Sequence, residues 1–523
     1  PRECGNYQDM NLNMAHMSVL SSIEPQNVFH YFEEICSIPH GSGHTDAISN
    51  YLTAFAEAHE LKYIKDASNN VIIFKPGTSG YETSAPVILQ GHMDMVAVKE
   101  KDCPINMDTD SLKLKLENGI ISAEGTTLGG DDGIAVAFAL AILDSHDIPH
   151  PPLEAVFTVD EEIGMLGAAA LDCSPLSSRI MLNLDSEDEG YLLVSCAGGA
   201  TADVQIPVIW ENTNEKASAY KLSVSHACGG HSGVEINKQS ANASKVLGRV
   251  LNALANDFDM KLSTLSGGLK DNAIPTDAEA VVIFSDTDMS DINTPDHANI
   301  PANSVHSSLQ DLISKWNQII RHEYTHTDPD ICITLEPVDL PAATMTDTST
   351  HTVIDVLMTY PNGVRKMSKD IAGLVQTSLN LGILSTIKPD DQSTNGIVSF
   401  KSSVRSSIGS EKDALLNSLK SLATLAGGTL TITGDYPAWE YREVSPLRDL
   451  MVKIFKQQYG KEPVIQALHA GVECGIFASK MPGLDCVSFG RDMDDIHTTN
   501  ESMNVESVRR TWEYTLKILK ELK

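Results

Sequence analysis

Four short apolar runs in this chain end in the same way. PVILQ (86–90), LEAVFTV (153–159), RIMLNL (179–184) and LDCVSF (484–489) have the length and bulk of buried strands, and stretches with helical periodicity separate them. That alternation predicts an α/β layer on a mostly parallel sheet. In open α/β sheets ligands gather outside the carboxyl ends of the strands, so the residues that follow each run matter most. The first run leads to His92 and Asp94, the second to Asp160, Glu161 and Glu162, the third to Asp185, and the fourth to a Gly-Arg loop that carries His497. A fifth element, TTLGGDDGIAVAFALAIL, is a glycine turn opening an apolar helix with Asp131 and Asp132 at its start. Each feature alone has an ordinary explanation. An H-x-D triplet arises by accident in a chain with 17 His and 70 acidic residues. Acids at a helix N-terminus are favoured by ~0.3–1 kcal/mol through the macrodipole, Asp-Glu-Glu reads as a solvated cluster, and a lone histidine as a surface residue. Their convergence on one sheet edge favours a site.

At 523 residues the chain exceeds one ordinary core, and two domains are expected, with three an alternative. The net charge of −32, with no Lys/Arg-rich block, repels phosphate backbones and anionic lipid, so neither nucleic acid nor membrane is an expected partner. Nine scattered cysteines without a C-x-x-C pair read as reduced thiols of a cytoplasmic protein and argue against a thiolate-bound zinc. Residues 1–22 lack a secretory apolar stretch and are expected to form a disordered tail. An amphipathic helix opens the folded region with Val28, Tyr31, Phe32 and Ile35, and another closes it with Val508, Trp512, Leu516 and Leu519. Between about 206 and 435, runs such as YKLSVS, EAVVIFS, DICITLEPV, GIVSFKSS and GTLTITG alternate with amphipathic helices in an α+β pattern of their own, split into two similar halves by the polar stretch 285–304. The expected division is therefore 23–205 and 436–523 for one domain, interrupted by an inserted domain at 206–435.

The motifs QGHMDMV, TLGGDDGIA, DEEIGMLGA, NLDSEDEG, CGGHSGVEINKQSANA and IHTTNES, in this order, resemble the di-zinc peptidases of the M20 clan, most closely the aminoacyl-histidine or cytosolic non-specific dipeptidase branch. The likeness runs from FEEICSIPHGSGHTD to the end of the chain. It implies a catalytic α/β domain interrupted by a large lid. It also implies one zinc held by His92, Asp131 and Asp185 and a second by Asp131, Glu162 and His497, with Mn²⁺ or Co²⁺ as substitutes. Asp131 would bridge the two and precede a cis peptide to Asp132. Imidazole and carboxylate ligands suit Zn²⁺, and one carboxylate can span two ions. Asp94 would orient His92, and Glu161 would be the general base that moves a proton from the metal-activated water to the leaving amine.

From the inserted domain the resemblance implies His231, in GGHSG, as the group that stabilises the developing oxyanion. Asn272 and Arg405 would hold the substrate backbone and its terminal carboxylate, and His469, in LHAGVECG, would lie near the substrate. Two departures stand out: the family's Ser-Pro-Asp-Glu is here Thr498-Thr499-Asn500-Glu501, and its Gly-Ala-Asp-Asn is Gly130-Asp131-Asp132, with an extra acid. The expected function is hydrolysis of dipeptides, Xaa-His included, by a homodimer or a monomer. The alternatives are an amino-tripeptidase, an N-acyl amino acid deacylase or a non-catalytic peptide-binding relative. Asp rather than Glu at 185 disfavours the deacylase, and retention of every ligand and of the base disfavours the last.

Overall fold

The computed structural model describes residues 18–285, 302–388 and 394–523. Most of the expected N-terminal tail and most of the polar stretch 285–304 lie outside them. The chain divides into two compact units, one comprising the chain up to Val194 with Arg442–Gln466 and Ile476–Lys523, the other Ser195–Tyr441 with Ala467–Gly475.

In the first unit all four apolar runs become adjacent strands. Leu153–Thr158, Val87–His92, Ile180–Ser186 and Asp485–Gly490 lie side by side in that spatial order and pair in parallel. Val71–Lys75 and Lys62–Lys65 extend one side antiparallel, Tyr191–Cys196 joins the other antiparallel, and Val464–Leu468 follows it, making an eight-stranded mixed sheet. Of the four parallel strands Val87–His92 comes first in the chain but second in space, so the chain next adds a strand on one side of it and then one on the other. In open α/β sheets ligands bind at such a reversal, which here falls between the carboxyl ends of Val87–His92 and Ile180–Ser186.

The helix Gly130–Asp144 is buried along nearly its whole length, as its uniformly apolar sequence requires. Its start lies hard against the central strand: a Cβ at Gly91 would stand 2.6 Å from Asp132 Oδ2 and 2.7 Å from Ala135 Cβ. Only glycine permits that approach. The opening and closing helices, Gln26–Cys36 and Val505–Glu521, bury Phe29, Phe32, Ile35, Val508, Trp512 and Leu519 in the same core. A separate four-stranded sheet pairs Met493–Asp494, Ser502–Asn504, Ile120–Ala123 and Leu114–Glu117 antiparallel. His497 sits in the loop of its first hairpin, an element that periodicity did not reveal.

The second unit is built on a ten-stranded sheet. Its strands pair antiparallel, and the long strands Val375–Ile387, Asn395–Ser406 and Gly198–Asn212 lie next to one another in it. Helices Ala243–Asp257, Asp347–Thr359 and Gly409–Leu425 contribute to its apolar core. Register places Arg405 opposite Ser378 on one neighbour and Gly199 on the other. Among the described residues no helix is long and apolar enough to cross a membrane.

Candidate active site

The strand ends of the first unit bring its sequence-predicted residues together. His92 is buried at the end of its strand, with Nε2 3.1 Å from Asp131 Oδ1 and 3.6 Å from Asp185 Oδ1. On the other side of the same carboxylate, Asp131 Oδ2 lies 3.0 Å from His497 Nε2, which is also 2.9 Å from Glu162 Oε1. Asp131 therefore presents one oxygen to each histidine. The Asp131–Asp132 peptide is cis, and both residues depart from helical dihedrals at the start of their helix.

Asp94 organises the strand ends beneath these groups. Its own backbone carbonyl lies 3.0 Å from His92 Nδ1, nearer than its carboxylate at 3.4 Å, so the Nδ1 proton faces a main-chain acceptor and Nε2 faces the carboxylates. The Asp94 carboxylate instead accepts from Ser42 Oγ at 2.7 Å and from the Glu161 and Glu162 amides at 3.1 and 3.4 Å. Glu161 and Glu162 thus leave the second strand on a turn tied to the residue that follows the first.

The donor set suits divalent cations. Ligand atoms within 4.8 Å of one another include those of Asp131, Glu162 and His497, of His92, Asp132 and Asp185, and of His92, Glu161 and Glu162. Two ligands each ~2.0–2.2 Å from one tetrahedral ion stand roughly 3.3–3.6 Å apart, close to the separations here. A single proton on His497 Nε2 cannot serve two carboxylates equally, whereas an ion among them can. Asp132 Oδ2 is buried with no hydrogen-bond partner, a cost that a nearby cation would offset.

Sequence reasoning passed over Arg491, which is 2% exposed and directly follows the fourth strand and its Gly490. Its guanidinium donates to Asp132 Oδ1 at 3.1 Å and to the carbonyls of Leu184 and Gly130 at 2.6 Å each. It is the cation that balances the helix start. An arginine behind an apolar run resembles any solvated strand cap, so spacing held no signal for it.

In the second unit His231, Arg405 and His469 form another cluster. A Cβ at Gly233 would stand 2.9 Å from His231 Cε1 and 2.7 Å from the His469 carbonyl, so both residues flank that glycine. His231 Nδ1 accepts from the amides of Gly233 at 3.1 Å and Val234 at 3.3 Å, which places the ring proton on Nε2. Burial and the nearby Arg405 charge lower its pKa, so the ring is neutral. The same two causes push His469 down to about 3, and its Nε2 lies 2.7 Å from Ser378 Oγ. Arg405 donates from Nη1 to Tyr436 Oη at 3.1 Å, while its buried Nε has no partner. Asn272 is exposed beside His231, its carbonyl accepting from the Ser232 amide at 2.8 Å; both line a groove of about 930 Å³.

The chain resembles known proteins over nearly its whole length. Residues 88–521 match the model of Peptidase family M20/M25/M40. The cytosol non-specific dipeptidase of Escherichia coli (strain K12) is 34% identical over 506 residues, 97% of this chain and 99% of that protein. Among solved structures, the aminoacylhistidine dipeptidase of Vibrio alginolyticus superposes with a TM-score of 0.87 at 32% identity, covering 97% of this chain and 99% of the other. The aminopeptidase PepT of Bacillus cereus ATCC 10987, at 15% identity and a TM-score of 0.52 over 96% of this chain and 99% of that one, shares the fold. The chain belongs to peptidase family M20/M25/M40. It is a hydrolytic peptidase of the metallopeptidase class.

The electrostatics generate a prediction for the metal-free protein. Hydrogen bonds to Asp131 and Glu162 raise His497 to about 10. Burial alone would lower His92, but its bonds to Asp131, Asp185 and Asp94 hold it well above the usual imidazole range. A raised folded-state pKa contributes stability that is fully present below the unfolded value of about 6.5 and is lost as pH rises through the folded one. After exhaustive chelation, the thermal midpoint should therefore fall between about pH 6.5 and 10. Saturating Zn²⁺ should remove or reverse that slope, because ligation needs the deprotonated rings. A metal-free midpoint that is flat or rising across this window would contradict the assignment.

Proposed function

We propose that this peptidase is a cytoplasmic dipeptidase, acting on dipeptides with a free C-terminal carboxylate, Xaa-His among them, and using two zinc ions. His92, Asp131 and Asp185 would hold one ion, and Asp131, Glu162 and His497 the other. The observation that carries the reading is the Asp131 carboxylate, with one oxygen 3.1 Å from His92 Nε2 and the other 3.0 Å from His497 Nε2. When bound, the ions would supply Lewis acidity and bring a water's pKa toward ~7.

The remaining work falls to side chains. Glu161 adjoins the proposed ligand Glu162, takes the proton of the attacking water and delivers it to the leaving amine. Asp94 aims both glutamates through their amides and keeps His92 Nε2 directed at the carboxylates. His231, neutral with its proton on Nε2, donates to the carbonyl oxygen as negative charge develops there. Arg405 takes the terminal carboxylate. Its buried, partnerless Nε supports this role, because an uncompensated guanidinium donor calls for an anion. Asn272 and His469 would contact the rest of the dipeptide.

The names of the Escherichia coli and Vibrio alginolyticus relatives, matched over nearly their full lengths, favour the dipeptide reading over a tripeptidase or a deacylase. Glu161→Gln should retain two zincs yet lose about 10²–10⁴-fold in kcat, whereas Glu162→Gln should lower metal content. Equal zinc in both variants together with surviving activity in Glu161→Gln would reverse the assignment. For the substrate class, Arg405→Ala should cost ~2–4 kcal/mol in kcat/KM on dipeptides. It should also abolish most of the preference for free dipeptides over dipeptide amides. If that preference persists at the wild-type margin, the carboxylate is bound elsewhere.

A further inference from the structure

Glu501 is 3% exposed and follows His497 by four residues in the hairpin loop between Met493–Asp494 and Ser502–Asn504. Its carboxylate accepts from four consecutive amides. Oε2 takes Leu128 N at 2.8 Å and Gly129 N at 3.2 Å, and Oε1 takes Gly130 N at 2.9 Å and Asp131 N at 3.4 Å. These amides form the turn that opens the helix carrying Asp131. The helix's own N-cap, Gly129, has no side chain to offer them, so the acceptor comes from a segment remote in the chain.

A carboxylate at a helix start is an ordinary cap when it is local. This one is not local, and the loop that supplies it also supplies His497. Within that loop Ile496 packs against the core, while Asp495 and His497 adopt left-handed backbone conformations at φ 52° and 63°, which non-glycine residues adopt at a cost. The Thr498 hydroxyl, bonded to the Asp495 carbonyl, supports it only from within. The bonds of Glu501 to the Asp131 turn therefore tie two separate segments at the point where Asp131 Oδ2 meets His497 Nε2.

We infer that Glu501 is a positioning residue that sets the affinity of the ion shared by Asp131, Glu162 and His497, leaving the ion at His92 and Asp185 much less affected. This rests on the ligand sets proposed above. Groups that orient metal ligands typically contribute 10- to 100-fold in affinity. Glutamine at 501 is nearly isosteric, but its amide nitrogen would face peptide N–H groups donor to donor and forfeit about half of the four bonds.

The test is zinc binding by the full chain, measured as bound metal after equilibration against graded zinc buffers, for wild type, Glu501→Gln and Glu501→Asp. Cobalt loading, followed by visible absorption per ion, gives a second readout that a general loss of stability would not divide between sites. Wild type should bind two zincs. Glu501→Gln should keep one at wild-type affinity and bind the other about 10- to 100-fold more weakly. If the glutamine variant fails to fold, Glu501→Asp, one methylene shorter with its charge intact, should show the same one-site loss. Equal weakening of both ions, or no weakening of either, overturns the inference while leaving the ligand sets standing. A wild type that binds fewer than two ions overturns the ligand sets themselves.

Discussion

The first unit must hold several carboxylates at one buried edge with little positive charge beside them. Asp131, Asp132, Asp185, Glu162, Glu187 and Glu501 converge there, and Arg491 is the guanidinium that the described residues set among them. The strain appears in the titration of each group. Burial, with Asp131 and Asp185, pushes Glu187 up to about 7; burial raises Asp132 and Asp185 as well. Asp131 alone is driven well below the carboxylate range: burial acts against this, but hydrogen bonds from His497 and His92 prevail. Like charges gathered in a poorly hydrated edge are expensive unless cations join them. The rest of the unit serves that requirement. The parallel strands bring the acids to one edge, Gly91 lets the helix start approach, and Glu501 and Arg491 both bond to that start, one to its amides and the other to the Gly130 carbonyl and the Asp132 carboxylate.

The His231, Arg405 and His469 cluster of the second unit is arranged around a positive charge instead. Arg405 is its central charge, and two neutral imidazoles lie within reach of its field. Keeping His231 neutral allows it to donate from Nε2 without carrying a permanent positive charge, which suits a group that must respond to charge appearing during a reaction. An anionic substrate end beside Arg405 would complete that cluster, as divalent ions would complete the first.

Much of this was legible in the sequence because buried strands, and the side chains placed at their ends, follow simple rules. The four apolar runs announced the four parallel strands, and their carboxyl ends announced His92, Glu161, Glu162 and Asp185. His497 was legible only as a histidine in an irregular loop; the hairpin that positions it consists of strands too short to show a period. Arg491 and Glu501 left no readable pattern, since each acts on backbone groups far away in the chain, and such partners are set by tertiary structure. The Asp94 contact to His92 is likewise finer than sequence allows: whether a carboxylate or its own carbonyl takes a proton depends on tenths of an ångström. The separate fold of the inserted region was readable from its repeated strand and helix pattern, but its antiparallel register, which sets Arg405 opposite Ser378, was not.

In the proposed ligand sets one carboxylate, that of Asp131, serves two ions. Metal content of Asp131→Ala, His92→Ala and His497→Ala, measured on folded protein after equilibration with limiting free zinc, tests it most directly. Loss of the shared ligand should weaken both sites together, while each histidine variant should weaken mainly one. Retention of two ions at wild-type affinity by Asp131→Ala would contradict the account.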